Sequence, residues 1–253
     1  MPESSTHATP LLFVHGAYAA AWCWQEHYLP YFAAQGFAAH ALSLSGHGGS
    51  RGRQYLDTYS ISHYVDDLRE VAASLPVRPI LIGHSMGGMV VQKFLEHENV
   101  PAVVLMASVP PRGLMNAALD MLLHRPGMLF DLNRTLGGGQ PHLEALREAL
   151  FHQPISDAML KACYMRMQPE SLRAIWDMSV FDLPSTSRMH RPPMLVLGAE
   201  HDRLIQASQV EKTAEIYDVV AEIFPAMGHG MMLEANWQDP AQRIRDWLIE
   251  QGF

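Results

Sequence analysis

Six short runs of mostly apolar residues, each closed by glycine, proline or a polar turn, recur along the chain with helical patterns between them. They are "LLFVHG" (Leu11 to Gly16), "FAAHALSL" (Phe37 to Leu44), "PILIGHS" (Pro79 to Ser85), "PAVVLMAS" (Pro101 to Ser108), "PMLVLGAE" (Pro193 to Glu200) and "VVAEIF" (Val219 to Phe224). Runs with little polar alternation predict strands covered on both faces. Between them the period changes. In "SISHYVDDLREVAASL" the residues Ile61, Tyr64, Val65, Leu68, Val71, Ala72 and Leu75 fall on one helical face, and Ser60 is placed to cap its start. Asp239 followed by Pro240 predicts the N-cap and first position of a last helix through Ile244, Trp247 and Leu248. Strands alternating with helices predict an α/β fold, a mostly parallel sheet flanked by helices.

One stretch breaks the alternation. From Pro110 to Arg191 no strand-like run occurs; "LMNAALDMLL", "HLEALREALF", "SDAMLKACYM" and "ESLRAIWDMSV" read as helices joined by turns such as "LGGGQP". The expected organisation is one core, residues 1–109 and 192–253, carrying a helical cap at 110–191. Half of the 16 methionines lie in that cap. Packing the cap helices is the plain role for such pliable side chains; lining a lipophilic pocket is the sharper one.

Composition narrows the partners. The 253 residues carry 18 Lys and Arg against 26 Asp and Glu, a net charge of -8, with no basic cluster to track a polyanion. Nucleic acid is therefore not an expected partner. Cys23 and Cys163, the two cysteines, have no CxxC spacing and sit among apolar neighbours, so they read as buried free thiols. No run of about 18 apolar residues predicts a membrane span, and "MPESSTHATP" lacks the features of a secretion signal, so a cytoplasmic location is expected. His15, His47 and His84 lack the helical pairing of a zinc motif, and neither metal nor cofactor is expected.

The most informative corner is "GHSMG", Gly83 to Gly87, which fits G-x-S-x-G where a predicted strand runs straight into a predicted helix. A turn that sharp strains its apex residue, and side chains two positions to either side would strike the neighbouring strand and helix, hence glycine at both. The strain holds the Ser85 hydroxyl above the sheet and turns the Met86 N–H and the helix N-terminus toward an oxyanion forming beside it. The competing reading, a turn serine without chemistry, leaves that strain without a purpose.

From Leu11 to the last helix the chain resembles the α/β-hydrolase superfamily, whose order is nucleophile, acid, histidine. The resemblance implies three further roles. Asp202, in "GAEHDRLI" after the fifth strand, matches the acid, with Glu200 a rival carboxylate and helix capping its plain alternative. His229, between two glycines in "PAMGHGMMLE", matches the histidine. His15-Gly16 matches the family's HG motif, which makes the Ala17 N–H the second oxyanion donor, with the amide or phenol of Tyr18 an alternative. "HGA" followed by "WCW" is similar to the opening of the plant methylesterase and hydroxynitrile lyase branch. "SLSGHGGS", Ser43 to Ser50, departs from the family's D-x-x-G-H-G-x-S loop at Ser43, a change expected to alter local packing rather than chemistry.

The resemblance implies a serine carboxylesterase acting on a small lipophilic ester, a small molecule being the expected partner. Relatives that hydrolyse epoxides or haloalkanes place aspartate at the nucleophile position, which Ser85 does not match. C–C bond and thioester hydrolases keep the same three residues and stand as alternatives, as does a hydrolase-fold ligand receptor.

Overall fold

The six apolar runs form the strands of one parallel sheet, in the computed structural model, which describes residues 6–115 and 143–253. In chain order these are β1 (Leu11–Val14), β2 (Ala39–Leu42), β3 (Ile80–His84), β4 (Val103–Met106), β5 (Met194–Ala199) and β6 (Ala221–Phe224), arranged β2-β1-β3-β4-β5-β6. Every neighbouring pair is parallel. The two runs that carry polar residues mid-strand, His40 and Glu222, lie at the two edges, where burial is partial. The four central strands, with unbroken apolar character, are fully buried.

Side chains alternate across this sheet and so feed two cores. Leu12, Val14, Leu81, Val103, Leu105 and Val196 face one side, where α3 (Ile61–Ser74), α4 (Met86–Phe94) and α8 (Ala207–Ile216) cover them. Leu11, Phe13, Ile80, Ile82, Val104 and Leu197 face the other, under α1 (Trp22–Gln25), α2 (Tyr28–Ala34) and α9 (Gln238–Glu250). Each such fully buried side chain contributes roughly 1.5–3 kcal/mol of transfer free energy. The chain order reverses at β1, which has β2 on one side and β3 on the other, so loops diverge above the carboxyl ends of β1 and β3. Open α/β sheets bind ligands at such a point.

Between β4 and β5 the described residues form helices: α5 (Leu143–Leu150), α6 (Asp157–Arg166) and α7 (Leu172–Trp176), the last widening into a π-type turn over Asp177–Phe181. Ser156 and Ser171 cap α6 and α7, accepting from Met159 N–H and Ala174 N–H, each at 3.2 Å. The predicted helix "LMNAALDMLL", beyond Met115, and the turn "LGGGQP" lie outside the described residues. No helix among the described residues is long and apolar enough to cross a membrane.

The last helix departs from its predicted start. α9 begins at Gln238 with Trp237 as N-cap, which places Asp239 and Pro240 inside the first turn rather than at the N-cap and first position. Proline fits there because first-turn N–H groups have no intrahelical acceptor to lose.

Ser60 behaves as its sequence context predicts. Its Oγ accepts the His63 N–H at 3.3 Å, while His63 Nδ1 accepts the Ser60 N–H at 3.2 Å, a capping box with histidine in the place usual for glutamate. Ser60→Ala is expected to cost about 1 kcal/mol and to lower Tm by about 2–4 °C in thermal unfolding followed by circular dichroism. An unchanged Tm would show that the cap contributes nothing.

Candidate active site

β3 ends at His84 and α4 begins at Met86, so the whole reversal of direction falls on Ser85, at φ 53° and ψ -120°. For a residue with a Cβ this conformation costs on the order of 1–3 kcal/mol and survives only where neighbours enforce it. They do so through both backbone groups: Ser85 N–H donates to Met106 O at 3.1 Å, and Ser85 O accepts from Gly88 and Val109 at 3.0 and 3.1 Å. A Cβ at Gly87 would lie 2.3 Å from Val14 O, and one at Gly83 would lie 2.6 Å from Gly87 O. Between Ile80 and Val91, Ser85 is the one residue that is not buried.

Asp202 follows β5 and His229 follows β6, and tertiary folding joins them: His229 Nδ1 lies 2.7 Å from Asp202 Oδ2, with both side chains buried. The other carboxylate oxygen accepts the Leu204 and Ile205 N–H groups, each at 2.8 Å. Asp202 thus ties the turn ahead of α8 rather than capping that helix, whose N-cap is Gln206. The rival Glu200 is half exposed and accepts the Ala226 N–H instead. An acceptor-only carboxylate at Nδ1 places the proton there, which leaves Nε2 as the basic nitrogen.

His15 and Gly16 leave the end of β1 and pass close to the elbow, where a Cβ on Gly16 would lie 2.9 Å from the Ser85 Cβ. Tyr18 N–H donates to Glu170 Oε2 at 3.3 Å, so the Tyr18 amide is engaged. The Ala17 N–H has no acceptor among the described residues. Burial and Glu170 push the Tyr18 phenol up to about 12. Met86 N–H belongs to the first turn of α4, where amides lack intrahelical acceptors.

Ala17, Ser85 and His229 line one cavity of about 330 Å³. Its remaining wall is mostly apolar: Trp22, Leu146, Leu150, Ile175 and Leu233 face it beside the polar Tyr18, His84 and Ser179, and no Asp, Glu, Lys or Arg does among the described residues. Met167 and Met178 from the segment between β4 and β5 also line it, whereas Met189 packs in the core and Met165 is exposed. The pocket-wall reading therefore holds for some of these methionines and not for others. Among the described residues no cluster of three His, Cys, Asp or Glu is arranged to hold a metal ion, and both cysteines are free and buried.

A family model described as the alpha/beta hydrolase family matches residues 11–246. The chain belongs to the α/β-hydrolase family. It is 33% identical over 110 residues to a non-heme chloroperoxidase of Burkholderia pyrrocinia, covering 41% of this chain and 38% of that one. It is 33% identical over 81 residues to methylesterase 3 of Arabidopsis thaliana, covering 31% and 30%. The matched stretch thus spans less than two fifths of the length of either curated relative. Among solved structures, a putative aryl esterase from Burkholderia cenocepacia superposes with TM-score 0.77 at 21% identity, over 99% of this chain and 92% of that one. The last likeness is one of fold.

Three residues of this α/β hydrolase that sequence reasoning left unassigned turn out to hold the site loops. His84, the variable residue of "GHSMG", sets Nε2 2.8 Å from His229 O, so its N–H donates to the backbone of the histidine loop. Glu234 is buried and accepts three amides, His152 at 2.6 Å, Gly228 at 2.7 Å and Gln153 at 3.1 Å, which clips that loop to the end of α5. Glu170, between α6 and α7, is the third. A carboxylate that ends an otherwise apolar stretch, as Glu234 does in "GHGMMLE", is the one signal that hinted at a buried role. Ser43, where the chain departs from the family loop, accepts the Ala21 N–H at its Oγ at 3.1 Å.

His15 has a fixed proton. Nε2 accepts the Leu44 N–H at 3.0 Å, so Nδ1 carries the hydrogen and donates it to Gly16 O at 2.8 Å. Burial, aided by His47, lowers its pKa to about 4, and burial with His229 lowers His84 well below the ordinary histidine value. Between the ordinary value near 6.5 and the folded value near 4, the unfolded chain binds the extra proton, so acid withdraws stability across that window. His15 alone is expected to remove about 1.6 kcal/mol between pH 6.5 and pH 5. Urea unfolding at the two pH values checks this. His15→Gln should start less stable but lose about 1.6 kcal/mol less across the window, and an identical pH slope in both proteins would refute the assignment.

Proposed function

We propose that the protein is a serine carboxylesterase that cleaves small to medium lipophilic esters through an acyl-enzyme on Ser85. The observation that carries this reading is the 2.7 Å contact of Asp202 with His229, which lines the cavity where the strained elbow presents Ser85. In this reading His229 Nε2 takes the Ser85 proton as Oγ attacks the ester carbonyl carbon, and Asp202 steadies the imidazolium through Nδ1. The carbonyl oxygen becomes an oxyanion held by the Ala17 and Met86 N–H groups. His229 then protonates the departing alcohol oxygen, and a water deprotonated by His229 attacks the acyl carbon, releasing the acid and restoring Ser85.

Substrate class follows from the wall. Its lining without charged side chains, and a volume of about 330 Å³ near the lower end of ligand pockets, favour a compact neutral ester with an apolar acyl or alcohol group. In this reading the described part of the cap lies over this cavity, with Met167 and Met178 among the side chains that meet the substrate.

The test is turnover of p-nitrophenyl esters of graded acyl length, beside acyl-CoA thioesters and meta-cleavage diketones. Short to medium esters should be preferred, with a fluorophosphonate labelling Ser85. Ser85→Ala should lower kcat by a factor on the order of 10⁶, and Asp202→Asn by one on the order of 10⁴. Full turnover by Ser85→Ala would end the proposal, and preference for thioesters or diketones would reassign the bond that is cleaved.

A further inference from the structure

Glu170 is a carboxylate with almost no access to water, its side chain fully buried. Oε1 accepts the Tyr64 hydroxyl at 2.6 Å and the Ser171 N–H at 2.8 Å. Oε2 lies 3.1 Å from His47 Nε2, an ion-pair contact too bent for a well-aligned hydrogen bond, and accepts the Tyr18 N–H at 3.3 Å. Burial alone would raise its pKa, but His47, the Tyr64 hydroxyl and the Ser171 amide together hold it below the ordinary glutamate value. The group therefore stays an anion, and an anion strengthens each bond that it accepts.

What it grips is the loop carrying Ala17. Tyr18 sits at φ 62°, a left-handed conformation that a residue with a bulky side chain adopts only under constraint. Both of its backbone groups are held by one short segment of the cap: Tyr18 N–H donates to Glu170, and Tyr18 O accepts the Gln168 N–H at 3.0 Å. That segment is anchored in turn. Gln168 Oε1 accepts the Gly48 N–H at 2.6 Å, and Arg53 Nη1 bridges Pro169 O and Gly46 O at 3.1 and 3.0 Å. On the other side of Ala17, His15 Nδ1 holds Gly16 O, the carbonyl of the very peptide whose N–H belongs to Ala17. The peptide planes before and after Ala17 are thus both pinned, one from β1 and one from the cap.

We propose that Glu170 is a positioning residue for the oxyanion-binding amide: through the Tyr18 N–H, and with Gln168, it aims the Ala17 N–H into the cavity above Ser85. The proposal rests on the reading of Ala17 as an oxyanion donor. It makes the cap part of the acyl-transfer machinery rather than only a wall for the substrate, since the segment that lines the pocket also sets the donor. An amide turned away from a developing oxyanion loses transition-state binding while ground-state binding of an apolar ester is untouched, so the effect falls on kcat.

The test is Glu170→Gln, which keeps the volume and removes the charge, assayed by ester kinetics and by backbone amide NMR of Ala17 and Tyr18. The expected result is a fall of about tenfold or more in kcat with KM nearly unchanged, against roughly 10²–10³-fold for losing a donor outright. The Tyr18 amide proton should also move upfield and the Ala17 resonance shift. Unmoved Ala17 and Tyr18 amides, an unchanged kcat, or a loss confined to KM each overturns the proposal. Should Glu170→Gln not fold, Tyr64→Phe, which removes one donor to the same carboxylate, should show the same pattern at a smaller scale, about twofold or more in kcat. Should the wild-type protein turn over no ester, the ester reading fails and the amide resonances alone decide whether Glu170 sets this loop.

Discussion

The rest of the site depends on the close packing of the elbow against the end of β1. With glycine at 83 and 87 the start of α4 comes within a Cβ's reach of the Val14 and His15 carbonyls, and Gly16 presses against the Ser85 side chain. Any side chain at those positions would push the strand and helix apart. Because they touch, the residues leaving β1 pass beside the serine, and Ala17 lines the same cavity as Ser85. The strain at Ser85 is the local cost of that approach, met by hydrogen bonds to both of its backbone groups and by two sheet-covering cores.

Around this contact the site loops are held by buried carboxylates, each serving backbone amides. Asp202 fixes its own turn with one oxygen and His229 with the other. Glu234 ties the His229 loop to the end of α5, and Glu170 ties the Ala17 loop to the segment between α6 and α7. Loops lack the ladder bonds of helices and strands, and an anion that accepts several N–H groups replaces them with fewer, stronger bonds. All three anions sit where water has little access, so each is matched by donors rather than by solvent.

Much of this was legible residue by residue. The strands could be read because a sheet buried on both faces demands unbroken apolar runs, and the two runs that broke the rule, with His40 and Glu222, became its edges. Ser85 was legible because glycine spacing records a steric demand directly. The start of α9 was misread by two positions, since proline is tolerated anywhere in a first turn and marks a helix start only loosely. Glu170 was illegible, since in sequence it looks like any solvated carboxylate and most of its partners lie far along the chain, and Glu234 gave only the hint of ending an apolar stretch.

The sequence by itself determined the α/β layering and the glycine-flanked elbow at Ser85, because each depends on neighbours within a few positions. Tertiary structure alone decided which carboxylate meets His229, Asp202 rather than Glu200, and which of the amides near Ser85 is already spoken for. It also decided that the segment between α6 and α7 reaches Tyr18 through Glu170. Those outcomes depend on distances between segments separated by tens of residues or more, which only the packing of helices on the sheet can set.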